Sequence, residues 1–162
     1  MHPVFVPLGP EHADGVMRIF NHYCVHSFVA FASRERPVSF YGKFLELSAG
    51  YPAYAVTADG AVIGFCFLSS YNPFPSFQKT AKFSCFLAPE VRGCGIGSAC
   101  LDTVCSAAKE MHISTIVSEI ADCNQESIVF HERRGFVWAG ELPGVGEKFG
   151  RPFGIVLMTK VL

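Results

Sequence analysis

Seven residues constrain this chain more than any others: Arg92-Gly93-Cys94-Gly95-Ile96-Gly97-Ser98. They lie between a strand-like run, Lys79 to Leu87, and a helix-like run, Gly97 to Met111, with an apolar face at Ala99, Leu101, Val104, Cys105 and Ala108. Glycine at alternate positions lets the backbone curl and approach a ligand closely. Its amides can form a nest for an anion. The helix that follows adds the positive end of its dipole, and Arg92 adds a fork that matches phosphate. Together these residues suit a pyrophosphate; the plain alternative is a glycine-rich turn without a ligand. A Walker loop is excluded because no Gly-Lys-Ser/Thr is present. A dinucleotide fingerprint is excluded because Ser98 stands where its third Gly belongs and the loop falls past the middle of the chain.

Around this loop, strands and helices alternate. Val4 to Leu8 reads as a strand, and Pro10 to Tyr23 as a helix with Val16, Ile19 and Phe20 at helical spacing. Residues 24–38 read as a loop, and Ser39 as the N-cap of a helix carrying Phe40, Phe44 and Leu47. Ala53 to Ala58 and Ala61 to Leu68 read as strands joined by an Asp59-Gly60 hairpin turn. Residues 71–75 read as a loop, Ser114 to Ala121 as a strand, and Asn124 to Arg134 as a helix stopped by Gly135. Phe136 to Leu142 and Phe153 to Val161 read as closing strands. The expected class is α+β, a mixed sheet with helices on its faces.

With 162 residues, half of them apolar and 16 of them Phe, the chain is expected to form one domain over residues 1–162 with a substantial core. The net charge of −1 is scattered, so no nucleic-acid partner is expected. The first residues lack a basic segment followed by a long apolar run, and the greasiest stretch, Ala61 to Ser70, is too short to cross a bilayer. No membrane partner is therefore expected. The seven Cys form no CxxC pair, which argues against a zinc site; they read as reduced core residues of a cytoplasmic protein.

The segment 92–97 resembles the R/Q-x-x-G-x-G/A loop of the GNAT superfamily of N-acetyltransferases. Asn124, Ser127, His131 and Gly135-Phe136 are similar to that family's downstream pattern. The likeness extends to its phosphinothricin/methionine-sulfone N-acetyltransferase branch through Asn21-His22 with Ser27, Gly50-Tyr51-Pro52, residues 131–136 and residues 144–150. It covers nearly the whole chain.

The resemblance implies a GNAT fold of about seven strands, mostly antiparallel, in which a splayed strand pair holds acetyl-CoA. It implies acetyl transfer to the amine of a small molecule by direct attack, and a homodimer. The splayed strand is Ser84 to Leu87 by position. The implied cofactor contacts are Cys85, Phe86, Leu87, Arg92, Gly93, Cys94, Gly95, Ile96, Gly97, Ser98, Asn124, Ser127 and His131. A backbone amide near Phe86 or Leu87 would polarise the thioester carbonyl. Cys94 is expected to contact the cofactor rather than to act as a nucleophile. His131 is a candidate catalytic residue near the departing sulfur, or a helix His bonded within the fold. Asn124 would cap its helix and touch the pantetheine, or only cap.

One departure bears on catalysis. The branch places a Glu base in "TVExS", whereas this chain reads Thr80-Ala81-Lys82-Phe83-Ser84. Glu119, inside an otherwise apolar strand, is the substitute candidate as base or amine anchor; the alternative is a structural pair with Lys82 or Lys79. Lys82 also keeps open a non-catalytic acyl-CoA-binding module on the same fold. On the acceptor side the branch's loop Arg is missing, and Arg151-Pro152-Phe153-Gly154 replaces Gly-x-Trp-x-Asp. A less polar amine is then expected, walled by Phe28, Phe31, Tyr71, Phe74 and Phe77 beside Lys82, unless those aromatics are core or dimer surface.

Overall fold

A computed structural model describes residues 2–162. Its elements in chain order are β1 Val4–Pro7, α1 Ala13–His26, α2 Tyr41–Leu47, β2 Ala53–Ala58, β3 Ala61–Ser70, β4 Thr80–Leu87, α3 Ile96–Glu110, β5 Thr115–Ala121, α4 Gln125–Arg133, β6 Val137–Lys148 and β7 Arg151–Val161. The strands form one seven-stranded sheet in the order β1-β2-β3-β4-β5-β7-β6. Only β4 and β5 run parallel. This is the mixed, mostly antiparallel sheet of the GNAT fold, flanked by four helices.

The register follows from the side chains. Asp59 and Gly60 both take positive φ, 50° and 79°, as a type I′ turn requires, and this locks β2 against β3. β3 is buried from Ile63 to Ser69 because both of its faces are covered. Phe65 points towards α2, where it meets Phe44 at 5.3 Å, and on the same face of the sheet it lies 5.1 Å from its β4 neighbour Phe86. Cys66, its neighbour, points the other way, towards Cys100 of α3. A fully buried ring of this kind contributes about 2–3 kcal/mol, so the cluster of Phe20, Phe44 and Phe65 with the half-buried Phe86 anchors α1 and α2 to the sheet.

Three local expectations are corrected. α1 runs on to His26, three residues into the expected loop. Ser39 caps nothing: a 3₁₀ turn over Val38–Phe40 leads directly into α2, with no side-chain cap. β6 extends to Lys148 rather than Leu142, because bulges after Trp138 and Leu142 absorb the Gly and Pro that looked like breakers.

Candidate active site

β4 and β5 pair over Thr80–Lys82 and Thr115–Val117 and then part. Beyond that point β4 keeps its ladder with β3, and β5 keeps its ladder with β7. The facing edges of residues 83–87 and 118–121 are left without strand partners. The amide of Ala88 donates to the Ile63 carbonyl at 2.8 Å. By strand alternation the amides of Cys85 and Leu87 therefore point into the gap. The Leu87 carbonyl on that side accepts from the Tyr23 hydroxyl at 2.5 Å, which ties α1 to the end of β4. Burial pushes the Tyr23 phenol up, so it stays a donor.

The gap opens into a cleft of about 1110 Å³. At one end lies the glycine loop. Gly93 and Gly95 sit at φ 74° and 81°, and Gly95 is the N-cap of α3. Among the described residues, the amides of Gly93, Cys94 and Gly95 donate to no backbone group. Gly97 faces Phe130 and Leu87, where an added Cβ would stand 3.6 Å from the ring. Arg92 forms an ion pair with Glu126 in the first turn of α4, joining the two helix starts. Both side chains are solvated, so exchanging this pair for a phosphate costs little.

α4 supplies the next wall. Asn124 caps it by accepting from the Ser127 amide at 3.3 Å. His131 is 6 % exposed, and its Nδ1 lies 2.7 Å from the Ser127 carbonyl. A carbonyl only accepts, so Nδ1 carries the proton. Burial lowers the His131 pKa, and the bond to Ser127 opposes that only in part. Nε2 is thus a bare acceptor, buried without a partner, and Ser118 Oγ is likewise buried and unpartnered. Both residues line the cleft. An imidazole in this state accepts a hydrogen bond; donating a proton to a sulfur would require the charged form that burial disfavours.

The opposite face carries the charged pair. Lys82 and Val117 are parallel partners and share a face, and Glu119 follows two residues on. Lys82 Nζ reaches across to Glu119 Oε2 at 2.8 Å, each side chain being 34 % exposed. Glu119 therefore stands in the cleft, paired with Lys82 rather than Lys79.

Around this pair the wall is aromatic, with Phe28, Phe31, Phe40 and Phe67 among its lining. Tyr71, Phe74 and Phe77 do not line it, contrary to expectation. They sit on the exposed 71–77 loop, where Tyr71 and Phe77 pack on each other at 5.8 Å. Cys94 and Ile96 also lie outside the lining, Cys94 exposed and Ile96 buried beneath the loop. Leu87, Cys85, Phe86, Arg92, Gly93, Gly95, Gly97, Ser98 and Ser127 all line it.

One residue behind the wall is not evident from the sequence. Lys148 is 2 % exposed, and its ammonium donates to the carbonyls of Tyr23, Ser27 and Ala30 at 3.2, 2.5 and 2.6 Å. It caps the C-terminal end of α1 and fixes the segment that presents Phe28 and Phe31. Desolvation pulls its pKa below the usual lysine value. Its only sequence signal is its place in the Gly-rich run 144–150, which by itself assigns no role.

The residues fit acetyl-CoA: a nest of free amides, two strand amides facing the gap, and two orphaned buried polar atoms beside them. The sequence profile of the acetyltransferase (GNAT) family matches residues 16–136, and the chain belongs to that family. Within it, the chain is 33% identical over 110 residues to the L-methionine sulfoximine/L-methionine sulfone acetyltransferase of Pseudomonas aeruginosa, covering 67% of this chain and 64% of that protein. It is 32% identical over 117 residues to the phosphinothricin N-acetyltransferase of Alcaligenes faecalis, covering 72% of this chain and 59% of that protein. The matches thus span less than two thirds of these relatives' lengths. Among solved structures, the ribosomal-protein-alanine N-acetyltransferase of Brucella melitensis superposes with a TM-score of 0.91 at 25% identity, covering 98% of this chain and 99% of that one. A phosphinothricin acetyltransferase of Sinorhizobium meliloti, solved in complex with AcCoA, shares the fold with a TM-score of 0.93 at 22% identity, covering 100% of this chain and 89% of that one.

Proposed function

We propose that this protein transfers the acetyl group of acetyl-CoA to the primary amine of a small molecule by direct attack. The observation that carries the reading is the parting of β4 from β5, with the Gly93–Gly95 nest at one end and the Glu119 carboxylate at the other. Acetyl-CoA supplies the activated acyl group as a thioester. Arg92, the loop amides and the start of α3 hold its diphosphate. Cys85 and Leu87 offer amides along the gap, and one of them polarises the thioester carbonyl, worth about 3 kcal/mol of barrier. Asn124, Ser127 and His131 contact the arm from α4, and His131 Nε2 accepts a hydrogen bond there. Glu119 takes the proton of the incoming ammonium so that a neutral amine attacks.

The named relatives act on amino-acid analogues. The acceptor here is either such an analogue or another small amine that fits the aromatic wall of Phe28, Phe31, Phe40 and Phe67. A purely binding module is the weaker reading, since a carboxylate stands 2.8 Å from the lysine that displaced the expected base. The chain works as one unit over residues 1–162, as a cytoplasmic homodimer with no metal, nucleic acid or membrane partner. Its scattered net charge of −1 supports the part of that reading that concerns nucleic acid. Thiol release from acetyl-CoA across a panel of primary amines tests the function. Amine-dependent release is expected; a rise in Tm with acetyl-CoA but no release with any amine would return the protein to the binding reading.

A further inference from the structure

We propose that Lys82 is itself an acetyl acceptor, so that without a competing amine the protein acetylates its own site. This rests on the acetyl-transfer reading above. The relevant juxtaposition is a primary amine, a carboxylate and the gap. Lys82 is the last residue of β4 that pairs with β5. Its Nζ leans along β5 to Glu119, two residues past the last pair, and so lies across the narrow end of the gap. The amide of Cys85 faces the same gap three residues further along β4, about 10 Å at strand spacing. A lysine on its four-carbon stem covers much of that span. An acceptor amine must meet a base and the acyl carbon in this region, and Lys82 already has the base at 2.8 Å.

The partly solvated ion pair does not forbid the step, because such pairs hold their partners weakly. Glu119 takes one proton from the ammonium, and the freed lone pair on Nζ forms a bond to the acyl carbon. The carbon–sulfur bond breaks with its electron pair leaving on sulfur. The second proton from nitrogen passes to sulfur, and the one on Glu119 returns to solvent. Lysine ammonium and acetyl-CoA thus become acetyl-lysine, coenzyme A thiol and one proton, with no oxidant or reductant. The product is neutral. It releases Glu119 from its partner and removes the cation that repels an incoming ammonium, so modification prepares the site for small amines.

The test is to incubate the purified protein with acetyl-CoA and no amine, then to locate acetyl groups by peptide mass spectrometry. Acetylation is expected at Lys82 well ahead of the exposed Lys43 and Lys79, at a rate independent of protein concentration. The Lys82→Arg variant should show none at that position. Glu119→Gln should slow it by at least about 100-fold while its Tm still rises with acetyl-CoA, which shows that the variant folds and binds. Lys82 left unmodified, or modified no faster than Lys79, in a protein whose Tm rises with acetyl-CoA would overturn the proposal alone. No rise in Tm would remove the acetyl-transfer reading and this proposal with it.

Discussion

The Lys148 ammonium lies 2.6 Å from the carbonyl of Ala30, a residue 118 positions earlier in the chain, and has no carboxylate partner among the described residues. Three carbonyls replace the counter-ion, and all three belong to the end of α1 or to the segment after it. The sheet end at β6 and the cleft wall at residues 28–32 are therefore one mechanical unit.

Replacing Lys148 with Met keeps the stem and removes the donors. The carbonyls of Ser27 and Ala30 then lose their partner inside the protein, while that of Tyr23 keeps the Ser27 amide; the loss costs about 3 kcal/mol and lowers Tm by roughly 6–12 °C. In the folded fraction, KM for the amine should rise more than KM for acetyl-CoA, because the loosened segment presents Phe28 and Phe31. Equal changes in the two would place the effect elsewhere.

A Cβ added at Gly95 would meet only open space, yet the residue holds a φ of 81°. Gly95→Ala is thus penalised by the left-handed backbone alone, by about 1–2 kcal/mol. Relaxing that strain turns the nest amides away, so the thermal shift produced by acetyl-CoA should shrink by more than the shift seen in a Cys94→Ala control. Calorimetry with and without acetyl-CoA reads both quantities.

Glu119→Gln is isosteric and removes the proton acceptor. Turnover of a small amine should fall by at least about 100-fold, with binding of acetyl-CoA, followed by titration calorimetry, unchanged. A near-normal rate would transfer the role of base to water.

The buried His131 makes stability depend on pH with a definite sign. Its folded pKa lies below the ordinary 6.5, chiefly through desolvation. Between that folded value and 6.5 the unfolded chain binds the proton and the folded one does not, so stability falls on acidification through this window and is complete above 6.5. The contribution is at most about 1.4 kcal/mol per pH unit. His131→Asn keeps a donor for the Ser127 carbonyl and does not titrate. Its Tm should fall less than that of the wild type between pH 7.5 and 5.5; parallel curves would contradict a neutral buried imidazole.

Local signals carried much of the fold. The Asp59-Gly60 turn, the glycine loop between β4 and α3, and the Gly135 stop after α4 each state their backbone requirement within a few residues. The end of β6 was not legible, because Gly140, Pro143, Gly144 and Gly146 break a strand by composition yet are accommodated by bulges against β7. Part of the aromatic lining of the cleft was misplaced for a related reason: Phe28 and Phe31 line it, but Tyr71, Phe74 and Phe77 do not. Aromatic residues next to a missing Arg looked like a binding loop, but Tyr71 and Phe77 satisfy each other on the surface, and the wall is built by Phe40 and Phe67 from distant elements. Lys148 and Tyr23 act across separations of 118 and 64 residues, where no periodicity points.

The parallel ladder between β4 and β5 covers three residue pairs, while β5 and β7 share seven. The sheet therefore behaves as two stiff plates joined along a short seam. Leu87 lies five residues past Lys82, a lever of about 17 Å, so tilting one plate against the other by about 4° displaces that amide by roughly 1 Å. In the proposed reaction a displacement of that size is enough to decide whether reacting groups are aligned, which leaves the Lys82–Glu119 pair, reaching from one plate to the other just past the last rung, to set the calibration.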